Sequence, residues 1–195
     1  MEGGNMKRVT IIGAGALGSH TAMFLRNAAS LTVVDYDKVE FKNLASQFHV
    51  KQGLGKNKTQ ALSGTLQLLW GLRVETFPQK LVTNNAEQLL SGADLLIDCL
   101  DNGPARRVVQ AYAREHKVPC LHGALAANGI FGQVVWDEVF KVDDGGEGAP
   151  TCEDENFLPF IAIVSAYLAR MAQEFLTTGK KVSLWIPPSG ASLKM

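Results

Sequence analysis

Val9-Thr-Ile-Ile-Gly13-Ala-Gly15-Ala-Leu-Gly18 is the stretch that decides the fold. Val9–Ile12 is a short, β-branched apolar run, the pattern of a buried strand. From Ala16 to about Asn27, Leu17, Ala22, Phe24 and Leu25 supply the apolar residues of a helix. The sequence G-x-G-x-x-G between such a strand and such a helix gives each glycine a task. Gly13 permits the tight turn, Gly15 lets backbone approach phosphate oxygens, and Gly18 lets the helix pack close to the strand. The helix N-terminus adds free N–H groups and a partial positive charge. A second buried run, Leu31–Val34, closes on Asp35, 17 residues after Gly18. A carboxylate there can accept hydrogen bonds from both ribose hydroxyls. These features predict a nucleotide site and serve NAD and ATP equally.

Outward from this unit the rhythm repeats. Residues 36–56 are a long polar stretch, followed by a helix from about Lys58 to Leu69 and a strand over Leu72–Phe77. A short helix is expected over Asn84–Ser91, a fourth strand over Asp94–Cys99, a helix over Pro104–His116 and a fifth strand over Val118–His122. Pro104 lies in a first helical turn, where its missing N–H costs nothing. This alternation predicts an α/β, Rossmann-like, doubly wound and mostly parallel sheet with helices on both faces. After Gly123 the pattern changes. Gly132–Trp136 and Val182–Ile186 read as further strands, the first of them an antiparallel extension at the C-terminal side. Residues 141–156 are acidic and glycine-rich, the composition of a mobile loop. Leu158–Leu176 is apolar over too much of its circumference for a surface helix, which predicts burial against the sheet or in a subunit interface.

The chain has 195 residues, with 19 Lys plus Arg balanced by 19 Asp plus Glu, and 46% hydrophobic residues. Those values fit one soluble domain over residues 1–195. Zero net charge argues against generic nucleic-acid binding. The N-terminal MEGGNMKRVTIIG lacks a signal-peptide core, and no apolar run reaches the ~18 residues of a membrane span, so the expected location is cytoplasmic.

Four further segments carry a family resemblance. Asp35-Tyr-Asp37-Lys-Val-Glu40-Phe-Lys-Asn43-Leu44-Ala-Ser46-Gln47 resembles the D-x-D-x-V-E-x-x-N-L-x-R-Q pattern of the ThiF/MoeB/HesA family of ubiquitin-activating-enzyme-like adenylyltransferases. Gly55-Lys56-Asn57-Lys58-Thr-Gln-Ala61 resembles its G-x-x-K-x-x-A. Asp98-Cys99-Leu100-Asp101-Asn102 with Arg106 resembles its D-x-x-D-N-x-x-x-R. Val118-Pro119, Gly123-Ala124, Gly129 and Gly132-Gln133-Val134 follow in register, so the match runs over roughly residues 8–136.

The resemblance implies ATP with magnesium, and adenylylation of the C-terminal carboxylate of a small ubiquitin-like or sulfur-carrier protein ending in Gly-Gly, by a homodimer. It implies Lys58 as the cation for the phosphates, with Lys56 as a competitor, and Asp101 as the magnesium ligand. Asn43 and Gln47 match positions lining the nucleotide site, and Asp35 would hold the ribose. Ser46 stands where the family has an arginine that contacts ATP phosphates. Cys152 resembles the first cysteine of a zinc pair, but Glu155 stands in its partner's place and no second pair follows, so no zinc is expected. Beside Glu153, Asp154 and Glu155, the Cys152 thiol is expected to be unreactive. Cys99 and Cys120 read as small core residues. Asp37 and Glu40 read as loop anchors or caps. Arg106 is left between a structural pair and a substrate contact, and His122 reads as a structural histidine. Two other functions stay open: a degenerate member that binds without catalysing, and an NAD-dependent oxidoreductase. The oxidoreductase leaves Asn43, Gln47, Lys58 and Asp101 unexplained.

Overall fold

The computed structural model describes residues 6–126, 131–142 and 155–187. Cys152, Gly129 and most of the acidic segment 141–156 lie outside the described residues. Among those described, seven strands form one sheet: β1 (Arg8–Ile12), β2 (Ser30–Val34), β3 (Glu75–Phe77), β4 (Leu95–Asp98), β5 (Cys120–Leu125), β6 (Gly132–Trp136) and β7 (Leu184–Ile186). Their order is β3-β2-β1-β4-β5-β6-β7. The first five are parallel, and β6 and β7 add antiparallel pairs, Leu121 opposite Trp136 and Gly132 opposite Ile186. The mostly parallel sheet with an antiparallel extension is as the sequence predicts.

Among the described residues, five helices cover the sheet: α1 (Ala16–Leu25), α2 (Lys58–Trp70), α3 (Ala86–Leu90), α4 (Gly103–His116) and α5 (Leu158–Thr178). The period of two along each strand divides the core. Val9, Ile11, Leu31, Val33, Leu95, Ile97 and Leu121 pack on one face with α1, α2 and α5. Ile12, Val34, Leu96 and Cys120 pack on the other with α3 and α4. The apolar α5 lies against α1, β5 and β6, where Ile161, Val164, Leu168 and Ala172 are wholly buried. Its Ser165 hydroxyl donates to the Leu17 carbonyl at 3.2 Å.

Several boundaries differ from expectation for local reasons. β5 starts at Cys120 rather than Val118, because α4 ends on Lys117 in the left-handed region, the Val118 N–H turns back to the Ala113 carbonyl, and Pro119 has no N–H. β7 starts at Leu184 rather than Val182: the Ser183 hydroxyl, not its backbone, accepts the Trp136 N–H, and the Trp136 indole takes the Val182 carbonyl. β3 keeps only Glu75–Phe77, since α2 is capped by Gly71 and the chain first meets the sheet edge at Glu75, opposite Thr32. The polar stretch 36–56 contains two 3-10 turns, Phe41–Ala45 and Lys51–Gly53.

Candidate functional site

In the sheet, β1 lies between β2 and β4, so the chain direction of crossing reverses there. A crevice at the carboxyl ends of the strands is expected at such a switch point. The Gly13 N–H bonds the Val34 carbonyl at 2.8 Å and the Cys99 N–H bonds the Ile12 carbonyl at 2.8 Å, which ties the three strand ends together. A cavity opens there. Gly13 and Gly15 form one wall, Asp35, Tyr36, Asp37 and Lys58 a second, and Cys99–Asn102 with Ala105 a third; Gln79–Leu81 close one side.

The glycine turn has the geometry its spacing predicts. Gly13 has φ +96°, and a Cβ there would lie 2.8 Å from the Cys99 carbonyl oxygen. A Cβ on Gly18 would lie 1.8 Å from the Gly13 carbonyl oxygen, which is how closely α1 approaches its strand. Gly15 is the N-cap of α1, has open space where a Cβ would go, and makes no side-chain cap bond. The first turn of α1 also holds no acidic residue.

Asp35 is fixed from both sides. Its Oδ2 accepts the Ala14 N–H at 2.7 Å and its Oδ1 accepts the Asp37 N–H at 2.8 Å. Burial raises its pKa, while these two backbone bonds and the Lys58 charge pull it back down. Each carboxylate oxygen keeps a second lone pair. Lys58, first residue of α2, is 8% exposed, and its Nζ lies 3.2 Å from Asp37 Oδ2. Asp37 is thus the anion that holds this lysine as well as a loop anchor, because the Lys58 N–H also bonds the Asp37 carbonyl at 2.8 Å. Lys56 is exposed and does not line the cavity. Asp101 lines the cavity, with the Asn102 amide 3.4 Å from its Oδ1.

Gly13, Gly15, Asp35, Lys58 and Asp101 therefore share one cavity, whereas Asn43 and Gln47 are not in its wall. Asn43 is buried and its Oδ1 accepts the Glu40 N–H at 2.8 Å, closing the 3-10 turn. Gln47 is buried with its Oε1 unpartnered. Ser46 is wholly buried, with its carbonyl 3.2 Å from His20 Nε2. The same segment covers α1: the Phe48 N–H donates to Ser19 Oγ, and His49 Nε2 lies 2.9 Å from the Ala14 carbonyl. That carbonyl is an acceptor only, so the His49 proton sits on Nε2, and burial lowers the His49 pKa to about 4.

Behind the Asp101 turn lies a buried ionic cluster. His122 Nδ1 is 2.7 Å from Asp98 Oδ2 and its Nε2 is 3.2 Å from Asp137 Oδ1. Both partners are carboxylates, so both ring nitrogens carry protons. Burial would push His122 down, but Asp137 and Asp98 outweigh it and hold the pKa at about 11. Arg106 bonds Asp98 Oδ2 at 3.3 Å, the Gly123 carbonyl at 3.0 Å and the Leu100 carbonyl. Arg106 is thereby a structural pair. Arg114 and Gln110 close the far side on Asp137 at 2.7 and 2.8 Å, and Phe140 stacks on His122 at 4.0 Å. Asp137 gives no motif signal. Its place follows from the β5–β6 hairpin, which sets Val135 opposite His122.

Among the described residues, no group of three or more His, Cys, Asp or Glu could hold a metal ion. A lone carboxylate such as Asp101, in a cavity it shares with Lys58 and the glycine turn, nevertheless suits magnesium, which takes one or two protein carboxylates and fills its shell from substrate phosphates and water. No described helix is long and apolar enough to cross a membrane.

The model of the ThiF family matches residues 4–184. The molybdopterin-synthase adenylyltransferase of Escherichia coli is 30% identical over 186 residues, 87% of this chain and 72% of the relative. The sulfur carrier protein adenylyltransferase of Thermus thermophilus is 35% identical over 121 residues, 60% of this chain and 45% of the relative. The structure of E. coli MccB with ATP superposes with a TM-score of 0.78 at 17% identity, covering 97% of this chain and 63% of that one. This last likeness is one of fold. The chain thus spans less than two thirds of two of these three proteins.

Proposed function

The chain belongs to the ThiF family, and from that premise we propose that it uses ATP to adenylylate the C-terminal carboxylate of a small ubiquitin-like or sulfur-carrier protein. The observation that carries this reading is the gathering of Gly13, Gly15, Asp35, Lys58 and Asp101, from four separate sequence motifs, around one cavity. The names of the E. coli and T. thermophilus relatives support the same chemistry.

In this reading the uncapped N–H groups of α1 receive a phosphate, and Gly15 leaves room for it. Asp35, oriented by two backbone bonds, accepts the ribose hydroxyls. Lys58, held by Asp37, stabilises the charge that develops on the phosphates as the carrier's carboxylate attacks the α-phosphorus and pyrophosphate leaves. Asp101 would hold magnesium, which when bound neutralises phosphate charge. Asn43 and Gln47 act from behind, through the stretch from Phe41 to His49, whose Ser46, Phe48 and His49 cover α1. A homodimer in the cytoplasm, a tail ending in Gly-Gly and a single domain complete the proposal.

A second reading is favoured by one observation: the buried hydroxyl of Ser46 stands where the family carries a phosphate-binding arginine. Loss of one such donor typically costs about 10²–10³ in rate. The alternative is a subunit that binds nucleotide or partner without adenylylation. Carrier-dependent exchange of pyrophosphate into ATP separates the two. Exchange supports the enzyme, and ATP binding without exchange with any encoded carrier supports the alternative. NAD binding without ATP binding would overturn both.

A further inference from the structure

Leu100 joins the end of β4 to Asp101, and both of its backbone groups are held by one ion pair. Its N–H donates to Asp98 Oδ1 at 2.9 Å, and its carbonyl accepts from the Arg106 guanidinium. Arg106 in turn bonds the other Asp98 oxygen, and Asp98 has no exposed surface. The Leu100 carbonyl lies in the peptide plane that leads into Asp101. Holding it fixes the direction from which the Asp101 side chain starts. The rest of the cluster tightens this hold. His122 bridges Asp98 to Asp137, Arg106 also reaches Gly123 on β5, and Phe140 covers both His122 and Arg106. Buried ion clusters are a weak source of net stability, since well-packed apolar residues often do as well or better. What such a cluster supplies here is geometry at a residue that faces the cavity.

We propose that Asp98 and Arg106, braced by His122 and Asp137, are positioning residues that preset Asp101 for a magnesium–nucleotide complex. This rests on the nucleotide reading above. It assigns no contact with substrate to any of the four. Their effect passes through Asp101 alone, and that is what separates the inference from a general role in folding.

The test is a double-mutant cycle read by calorimetric ATP binding, with magnesium and with EDTA. Arg106→Lys keeps the charge but cannot span the Asp98, Leu100 and Gly123 acceptors together. Asp98→Asn keeps an acceptor for the Leu100 N–H and is the milder variant. Each is expected to weaken magnesium–ATP binding by about 10–100-fold, the usual cost of losing a group that orients a metal ligand. Metal-free ATP binding is expected to stay within about twofold, and either change made on top of Asp101→Asn should add almost nothing. In the ligand-free protein, amide exchange at Leu100 should quicken about tenfold in Arg106→Lys while the β1 and β4 amides keep their protection. Equal losses with and without magnesium, additive losses on the Asp101→Asn background, or unchanged exchange at Leu100 would each overturn the inference. An unaltered chain that binds no ATP under either condition would overturn the nucleotide reading instead, and this inference with it.

Discussion

Gly13, Gly15 and Gly18 share a motif, yet a single methyl group would act on each differently. At Gly18 it would sit 1.8 Å from a carbonyl oxygen, and at Gly13 it meets both a positive φ and the Cys99 carbonyl. Gly18→Ala is therefore expected to destabilise the protein by about 3 kcal/mol or more, as overpacked backbone does. At Gly15 the methyl meets no protein atom within 4 Å. Gly15→Ala should keep its stability to within about 0.5 kcal/mol. It should weaken ATP binding by about tenfold or more, about 1.4 kcal/mol. Melting curves beside ATP titrations check this, and equal nucleotide affinity in Gly15→Ala and the unaltered chain would remove the glycine turn from the site. Lys58→Ala should lower carrier-dependent pyrophosphate exchange by about 10²-fold. It also leaves Asp37, half exposed, without its cation. A matching loss in Asp37→Asn would show that the pair, rather than the charge on Lys58, is what matters.

At the scale of elements, much of the architecture is legible in sequence because its signals are local. The β-branched runs, the glycine turn and Pro104 identify β1, β2, α1 and α4 within a few residues. The cavity wall contributed by Gln79–Leu81 is not legible, since a loop after an edge strand carries no periodicity to place it. Asp137 is hidden for a similar reason: only the hairpin register brings it to His122. Lys117 shows how a cap overrides a strand pattern. It ends α4 at φ +55°, where a residue with a Cβ is strained, and its side chain is exposed. Lys117→Gly should therefore stabilise the protein by about 0.5–1 kcal/mol. That corresponds to a rise in melting temperature of about 1–4 °C for a domain of this size. A lower melting temperature would mean that chain entropy gained by the unfolded state outweighs the relieved strain.

For the whole molecule, stability against pH is set by buried histidines that pull in opposite directions. His20 and His49 are neutral in the fold because burial depresses them, His49 to about 4 from an ordinary 6.5. Unfolding takes up their protons as the pH falls, so their share of stability is present above 6.5 and is lost below it, for His49 as the pH falls from 6.5 to about 4. For His49 alone the full loss is about 3 kcal/mol, from 1.36 kcal/mol per pH unit. Asp137, held low by His122, Arg114 and Gln110 against the push of burial, adds to the acid limb at still lower pH. His122 works the other way. Its folded pKa of about 11 lies above the ordinary value, so unfolding releases a proton as the pH rises. Its contribution is complete below 6.5 and declines from there toward 11. The two limbs place maximum stability near pH 6.5. Urea unfolding at steps between pH 4 and 10 reads this directly. His49→Gln keeps an N–H for the Ala14 carbonyl but cannot titrate, so its stability should fall less steeply between 6.5 and 4 while its alkaline limb is unchanged. If His49→Gln follows the unaltered chain through the acid limb, the neutral histidine over the glycine turn is not the source of the acid sensitivity, and the limb belongs to His20 and the carboxylates.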